Sequence, residues 1–561
     1  MEGCATLIQV RWLLIFLLIP AAFGQAHKGH PADDYRMTEM GPPPRMTGIG
    51  DSHLKITTKS EAAQAYFDQG LSLLHCFWDF EAYRAFKEAA RLDPQAAMAY
   101  WGIVESISDY KAMEDAKKTA LEKTKELMEK ASEHEQFYLR ALQKSEDDDD
   151  EGDGWRSEME ALVDKYPGDI DAKLFLAIKS TYSYRTDGRP RKDSIYAQAL
   201  INDVLREHPN SAAAHHYRIH ALESSQHPQD ALPDADALGK LAPNSGHMVH
   251  MPGHIYYDVG DYERARQSFV DSMNVDLQYM QREKVGTLDD WNYAHNLSYL
   301  IAADAESGRY REALEMAAKL ERLPANPFLA KGSATHVLTV GGTTMRLNSR
   351  FGNWQASVDK PIDVGMDEET AGPAAAAYRD GMLAYAKGML AIERKEAELA
   401  ERQSDALDAI AWRFHSGQDD DEKHDRSKQV LNALEMASLD LRGNLHSLEG
   451  RTGEAVRLLK KAVEKETDIG YWEPPIYGRP EFESLGYACI RAAQYDDARK
   501  AFQDELKLRP KNGHALYGMA QSYEAAGDKQ SAARAYRQFL AAWPNADDDL
   551  PMVKHAKSAS H

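Results

Sequence analysis

Residues 479–510 read RPEFESLGYACIRAAQYDDARKAFQDELKLRP, with Gly486, Ala498, Phe502 and Pro510 at set intervals. Residues 63–94 repeat those intervals with Gly70, Ala82, Phe86 and Pro94, and add a small residue at Ala89. A shift of 34 residues places Ala532, Tyr536 and Pro544 under Ala498, Phe502 and Pro510. The unit reads as a hairpin of two helices. Small residues stand where the helices touch, an aromatic ring fills the gap to the next hairpin, and proline stops the second helix. One hairpin cannot bury its own apolar face, so neighbours must stack.

The pattern continues with looser spelling. Gly253, Tyr256, Ala265 and Phe269 mark a hairpin over about 245–277, Ala313 marks one over about 290–322, and Gly443, Leu459 and Ala462 mark one over about 436–467. This spelling and its period resemble the tetratricopeptide repeat, whose length is 34 residues. The expected fold is an all-α, right-handed α-solenoid of about eleven to twelve hairpins between residues 61 and 545. Divided by spelling, hairpins occupy 61–210, a histidine-rich centre 211–325, a divergent stretch 326–435 and clear repeats 436–545, with a tail at 546–561.

A chain of 561 residues exceeds the ~250–300 at which single cores stop growing, which agrees with a repeat array. The net charge of −22 argues against nucleic acid and anionic lipid as partners. Arg11, the apolar run Trp12 to Pro20, and the small residues of Ala22-Phe23-Gly24 before Gln25 read as a signal peptide over 1–24. The expected location is therefore periplasmic or extracellular, with no membrane insertion after cleavage. Residues 25–60, which include Pro42-Pro43-Pro44, lack helical periodicity and read as an extended arm. Cys76 and Cys489 stand far apart in the array and are not expected to form a disulfide.

Two other motifs read as background. Asp147, Asp149, Glu151, Gly152 and Glu158 have calcium-loop spacing, but Gly154 stands where such loops carry a branched apolar residue, so a solvated acidic connector is expected. A similar connector surrounds Asp419-Asp420-Asp421-Glu422. Met37, Met40 and Met46 beside His27 and His30 suggest copper traffic less than they suggest a disordered exported N-terminus.

The histidines carry the chemistry. His216 and His220 are four residues apart on one helix, His250 and His254 are four apart on another, and the two pairs are separated by 34 residues. Spacing of four stacks side chains on one helix face, and the repeat places both pairs on equivalent faces of neighbouring first helices. His247 lies three residues before His250, and aligning Ala313 with Ala265 brings His295 onto His247. Six histidines then form one ladder. Val249, Gly253 and Tyr256 take the places that pack on the partner helix, so the ladder lies off the main core stripe; the resemblance to tetratricopeptide repeats implies that its places line the concave groove, which the ladder is expected to face. Imidazole suits zinc and copper, and helices 8–10 Å apart let rings from neighbours converge on one ion. Glu223, Tyr257, Asp258 and Trp291 are candidates to support these rings from behind or to line the groove. Pro252-Gly253 is unfavourable inside a helix, so either the helix starts late or strain positions His250 and His254.

His250-Met-Pro-Gly-His254, Gly48-Ile-Gly-Asp-Ser-His53 with Phe67-Asp-Gln-Gly70, Asp93-Pro94 to Ala99-Tyr-Trp-Gly102, and Trp472-Glu-Pro-Pro475 resemble a group of exported bacterial tetratricopeptide-repeat proteins. The resemblance covers nearly the whole mature chain and implies the architecture, without an activity. His75 and His53 are weaker candidates for the histidine site.

No phosphate loop, nucleophile elbow, His-Glu-x-x-His or paired-cysteine spacing is present. Two functional classes remain open. One is an exported scaffold holding a protein, peptide or small ligand in its concave groove. The other is a metalloprotein or metalloenzyme with zinc or copper on histidines of adjacent first helices.

Overall fold

The structure, a computed structural model, describes residues 40–107, 113–146, 153–181, 183–185, 188–287, 289–323, 340–363, 368–416, 425–469 and 478–560. Within these, helices follow one another in pairs: α1 (Glu61–His75) with α2 (Asp79–Leu92), α3 (Ala97–Ile107) with α4 (Glu114–Leu127), and α5 (Glu133–Ser145) with α6 (Asp153–Lys165). Next come α7 (Ile170–Ser180) with α8 (Lys192–Glu207), α9 (Ala212–Glu223) with α10 (Leu232–Leu241), α11 (Gly246–Asp258) with α12 (Tyr262–Glu283), and α13 (Trp291–Glu306) with α14 (Tyr310–Leu320). The last five pairs are α15 (Thr343–Arg350) with α16 (Trp354–Asp359), α17 (Glu368–Glu393) with α18 (Ala397–Ser416), α19 (Asp425–Leu448) with α20 (Thr452–Ile469), α21 (Glu481–Arg491) with α22 (Tyr495–Leu508), and α23 (Gly513–Ala525) with α24 (Lys529–Ala542). The chain is an all-α solenoid of twelve hairpins among the described residues, closed by α25 (Pro551–Ala559). Among the same residues the sole β-pairing is an isolated bridge between Tyr184 and Pro190.

The repeated residues build this stacking. A Cβ on Gly70 or Gly102 would lie 2.7 or 2.3 Å from the ring of Phe86, and one on Gly486 or Gly518 would lie 2.5 or 2.3 Å from the ring of Phe502. Each aromatic residue thus wedges between its own hairpin and the next, and the glycines leave room for the ring. Side chains of Ser60, Ser132, Ser211, Ser245 and Asn512 accept the third backbone N–H of their helices, so these five first helices begin at a polar cap.

The array does not stay open. Backbone N–H of Asn244 donates to the Gly48 carbonyl at 2.8 Å, Tyr279 donates to Glu81 at 2.6 Å, and Trp291 Nε1 donates to the Phe77 carbonyl at 3.0 Å. The segment 40–60 and the first hairpin therefore pack onto the fifth to seventh hairpins. From the other end, Trp543 Nε1 donates to the Glu306 carbonyl at 2.7 Å, Tyr262 donates to the Pro510 carbonyl at 3.1 Å, and Arg350 bridges Glu306 at 2.9 Å and Glu483 at 2.7 Å.

Several local expectations change. The stretch 546–561 carries α25, whose Val553 and Ala556 are buried, because the last hairpin needs a cover for its apolar face. Helix α19 runs through the boundary placed at 435/436. Pro252 lies in the interior of α11, since Ser245 caps the helix and Gly246 begins it; the late start does not occur. Cys76 and Cys489 are free and buried, and burial pushes their thiols up to about 12 and about 11. Residues 1–39, 147–152, 417–424 and 470–477 lie outside the described residues, and with them the signal segment, His27, His30, Met37, both acidic runs and Trp472-Glu-Pro-Pro475. Glu158, the last residue of the calcium-loop spacing, pairs with Arg140 at 3.0 Å and Lys144 at 3.1 Å. No helix among the described residues is long and apolar enough to cross a membrane.

Candidate metal centre

All six central histidines lie inside the molecule. His216, His220, His250 and His254 are 0% exposed, His247 is 3% and His295 is 5%. They do not line an open groove; the turn between α1 and α2 packs against them. The Phe77 ring sits 4.7 Å from that of His216, 5.4 Å from His220 and 5.6 Å from His247, centre to centre. Of the places expected to pack on the partner helix, Gly253 meets the Phe269 ring of α12 and Tyr256 is buried, while Val249 is half-buried.

The expected single ladder separates into two triads. His216 and His220 of α9 meet His247 of α11, and His250 and His254 of α11 meet His295 of α13. In each triad one nitrogen from every ring lies within 4.8 Å of the others. Each triad thus takes a pair from one first helix and a third ring from a neighbouring first helix. Zinc–nitrogen bonds of 2.0–2.1 Å require ligand nitrogens about 3.3 Å apart in a tetrahedron. His216 Nε2 lies 3.0 Å from His220 Nε2, and His250 Nε2 lies 2.9 Å from His254 Nε2.

The other ring nitrogens define the tautomers. His216 Nδ1 donates to the His75 carbonyl at 2.7 Å, a group that only accepts. His220 Nδ1 donates to Glu223 Oε1 at 2.9 Å. His250 Nδ1 donates to Asn296 Oδ1 at 2.8 Å, and the Asn296 amide is oriented because its Nδ2 donates to the Phe269 carbonyl at 2.7 Å. His254 Nδ1 lies 3.0 Å from Glu223 Oε2, off the ideal hydrogen-bond line. With every one of these Nδ1 atoms carrying its hydrogen, each facing Nε2 pair presents two lone pairs to one another in the neutral rings.

At four of the six histidines burial disfavours the charged ring. Burial, then neighbouring histidines, hold His216, His247 and His250 well below the usual imidazole range, and burial takes His295 down to about 3. Burial pushes the Glu223 carboxyl up, but His220 and His254 outweigh it and hold the group at about 2. His247 Nε2 is buried without a hydrogen-bond partner, and His247 Nδ1 reaches Asn292 Oδ1 only at 3.4 Å. A small cavity borders His247, lined also by Phe77, Trp78, Asp276, Asp290 and Asn292, with about 10 Å³ for a water-sized guest. That is room for about one water.

Comparison with known proteins bears on the repeats and not on this centre. Residues 514–546 match the tetratricopeptide repeat. No curated protein matches the chain. Among solved structures, a tetratricopeptide repeat protein from Parabacteroides merdae is similar at 14% identity over 56% of this chain and 98% of its own, with a TM-score of 0.28. Yeast Tom70 is similar at 12% identity over 90% of this chain and 96% of its own, with a TM-score of 0.29. Human IFIT1, solved as a dimer with m7Gppp-AAAA, is similar at 11% identity over 87% and 91%, with a TM-score of 0.32. Tetratricopeptide repeats stack into extended binding surfaces, so an interaction scaffold is the general role that goes with the fold.

Around the two triads the supporting residues distribute unevenly. Glu223, at the end of α9, stands between His220 and His254. Trp291 walls the site, its ring 5.1 Å from His247 and 5.3 Å from His295. Tyr257 packs edge-on against Tyr262 at 5.3 Å, and Asp258 ends α11 half-buried. His75 is buried between Asp171 and Tyr217, each at 2.9 Å, and supports the site through its backbone carbonyl. His53 is exposed and pairs with Asp68 at 2.8 Å. Sequence reading missed Asn292, Asn296 and Tyr299, whose ring is 4.5 Å from His254. Their mutual spacing of four and three was a usable signal, since positions three and four apart share a helix face.

Proposed function

We propose that this chain is an exported metal-binding repeat protein in which the two histidine triads hold zinc or copper. The facing Nε2 pairs carry the reading. At 3.0 and 2.9 Å, with the Nδ1 hydrogens directed elsewhere, the lone pairs repel unless a cation lies between them. A buried, unpartnered polar atom ordinarily costs about 1–3 kcal/mol, and His247 Nε2 is such an atom beside the His216 and His220 pair. Three neutral imidazoles per set, with no thiolate, suit zinc and copper better than calcium or magnesium. Three ligands and an open place would allow an ion to activate water; a fourth ligand would make it structural. Export is supported by the sequence of residues 1–24.

The test is the metal content of mature protein made without a histidine tag, beside a His216→Ala/His250→Ala variant. Near-stoichiometric zinc or copper that is lost in the variant supports the reading. Absence of metal in both, even after reconstitution, leaves proton-sharing histidine pairs and removes it.

A scaffold role for the same chain has one specific observation in its favour. Trp412, on α18, is 68% exposed and offers an apolar anchor to a protein or peptide partner away from the histidines. Loss of partner capture on Trp412→Ala, with metal content unchanged, is the expected result.

A further inference from the structure

We infer that Glu223 joins the two triads into one coupled dinuclear centre, so that occupation of either site strengthens the other. The inference rests on the metal reading above. One carboxylate oxygen takes the Nδ1 hydrogen of His220, 2.9 Å away, and the other faces Nδ1 of His254 at 3.0 Å. These rings belong to different triads. The remaining supports are private: the His75 carbonyl serves His216 and Asn296 serves His250. Glu223 is fully buried, so its negative charge acts on both rings through a poorly screening medium.

A carboxylate behind a ligating imidazole fixes the ring's tautomer and orientation and raises its basicity, and losing such a group typically costs 10–100-fold in metal affinity. When an ion binds to the first triad, it draws density from His220 and aligns Glu223. The aligned carboxylate then holds His254 in the orientation the second ion needs. By linkage the effect is reciprocal. The direct connection between α9 and α11 inside the centre also explains why the two pairs are borne by successive repeats: the end of α9 must reach the middle of α11.

Glu223 is a positioning residue in this scheme, and its substitution separates coupling from plain support. The experiment is zinc titration of the full mature chain against a competing chelator, read together with the visible spectrum of the cobalt(II) form. Wild type should take two ions with positive cooperativity. Glu223→Ala should weaken both sites 10–100-fold, while Asn296→Ala should weaken one. In Glu223→Gln the amide can accept from one Nδ1 but must turn its own N–H toward the other, so one ion should be retained tightly and one cobalt environment should change. This isosteric variant also covers the case in which the alanine variant does not fold. Two wild-type ions with only one site weakened in Glu223→Ala, or two ions at wild-type affinity in Glu223→Gln, overturn the coupling. No ions in wild type overturn the metal reading itself.

Discussion

At the residue scale, burial decides what each polar group does. Asp304 in α13 lies 2.7 Å from Arg266, yet the desolvation of the carboxyl outweighs that cation and takes it to about 6. A native-state pKa raised above the unfolded value means that the folded chain binds the proton longer. The group's contribution is therefore present at low pH and is lost as pH rises through about 6. Between pH 5 and 7 this amounts to about 1 kcal/mol. Urea unfolding of wild type and Asp304→Asn across that interval should show wild type losing that much relative to the variant; parallel curves would place the carboxyl near its ordinary value. His216, His247, His250 and His295 illustrate the opposite sign, because burial disfavours their charge and leaves them as neutral donors of lone pairs. Residue types and spacings of these groups were legible in the sequence. Their tautomers were not, since those depend on the His75 carbonyl, 141 positions from His216, and on Asn296, 46 positions from His250.

At the element scale, the turn between α1 and α2 is the piece that helix periodicity could not place. Phe77 adopts φ 55°, a left-handed conformation unusual for a side chain of its size, and that geometry presents its half-buried ring to the first triad. Strain of this kind, of order 1–3 kcal/mol, persists where surrounding contacts over-determine it. The Trp291 bond to the Phe77 carbonyl and the rings of His216 and His247 provide them. Phe77 therefore stands between the first triad and solvent. In Phe77→Ala, a chelator should withdraw zinc on the order of ten times faster with unchanged stoichiometry, because the ring blocks access without ligating. An unchanged release rate would assign the solvent path elsewhere. Helix α11 shows what sequence could read: the His-x-x-x-His face and the Gly253 contact to the Phe269 ring, 2.3 Å from where a Cβ would stand, follow from spacing alone. The interior position of Pro252 depended on the Ser245 cap, whose side chain bonds the Met248 N–H.

At the scale of the whole molecule, both ends of the array fold onto its centre, and this distinguishes the protein from an open repeat ribbon. Gly260 is one of the closing points, with φ +73° and the Pro510 carbonyl oxygen only 2.1 Å from where a Cβ would stand. Gly260→Val both strains the backbone and drives α22 and α23 away from α11 and α12. Small-angle scattering should then show a larger radius of gyration and tryptophan emission from Trp543 should shift to the red; an unchanged profile would mean that Trp543 and Arg350 hold the closure without it. By itself the sequence determined the helical hairpins, their period, the order of the units and the clustering of six histidines on successive first helices. These follow from contacts within a hairpin or between neighbours, which recur at constant separations and so leave a periodic trace. Only the tertiary structure decided that the histidines are buried, that they divide into two triads and that Glu223 stands between them. The burial arises where distant hairpins meet, as His75 with His216, and a contact made once between remote segments has no period from which it can be read; the triads and the place of Glu223 depend on the rotation of neighbouring helices, which spacing alone does not fix.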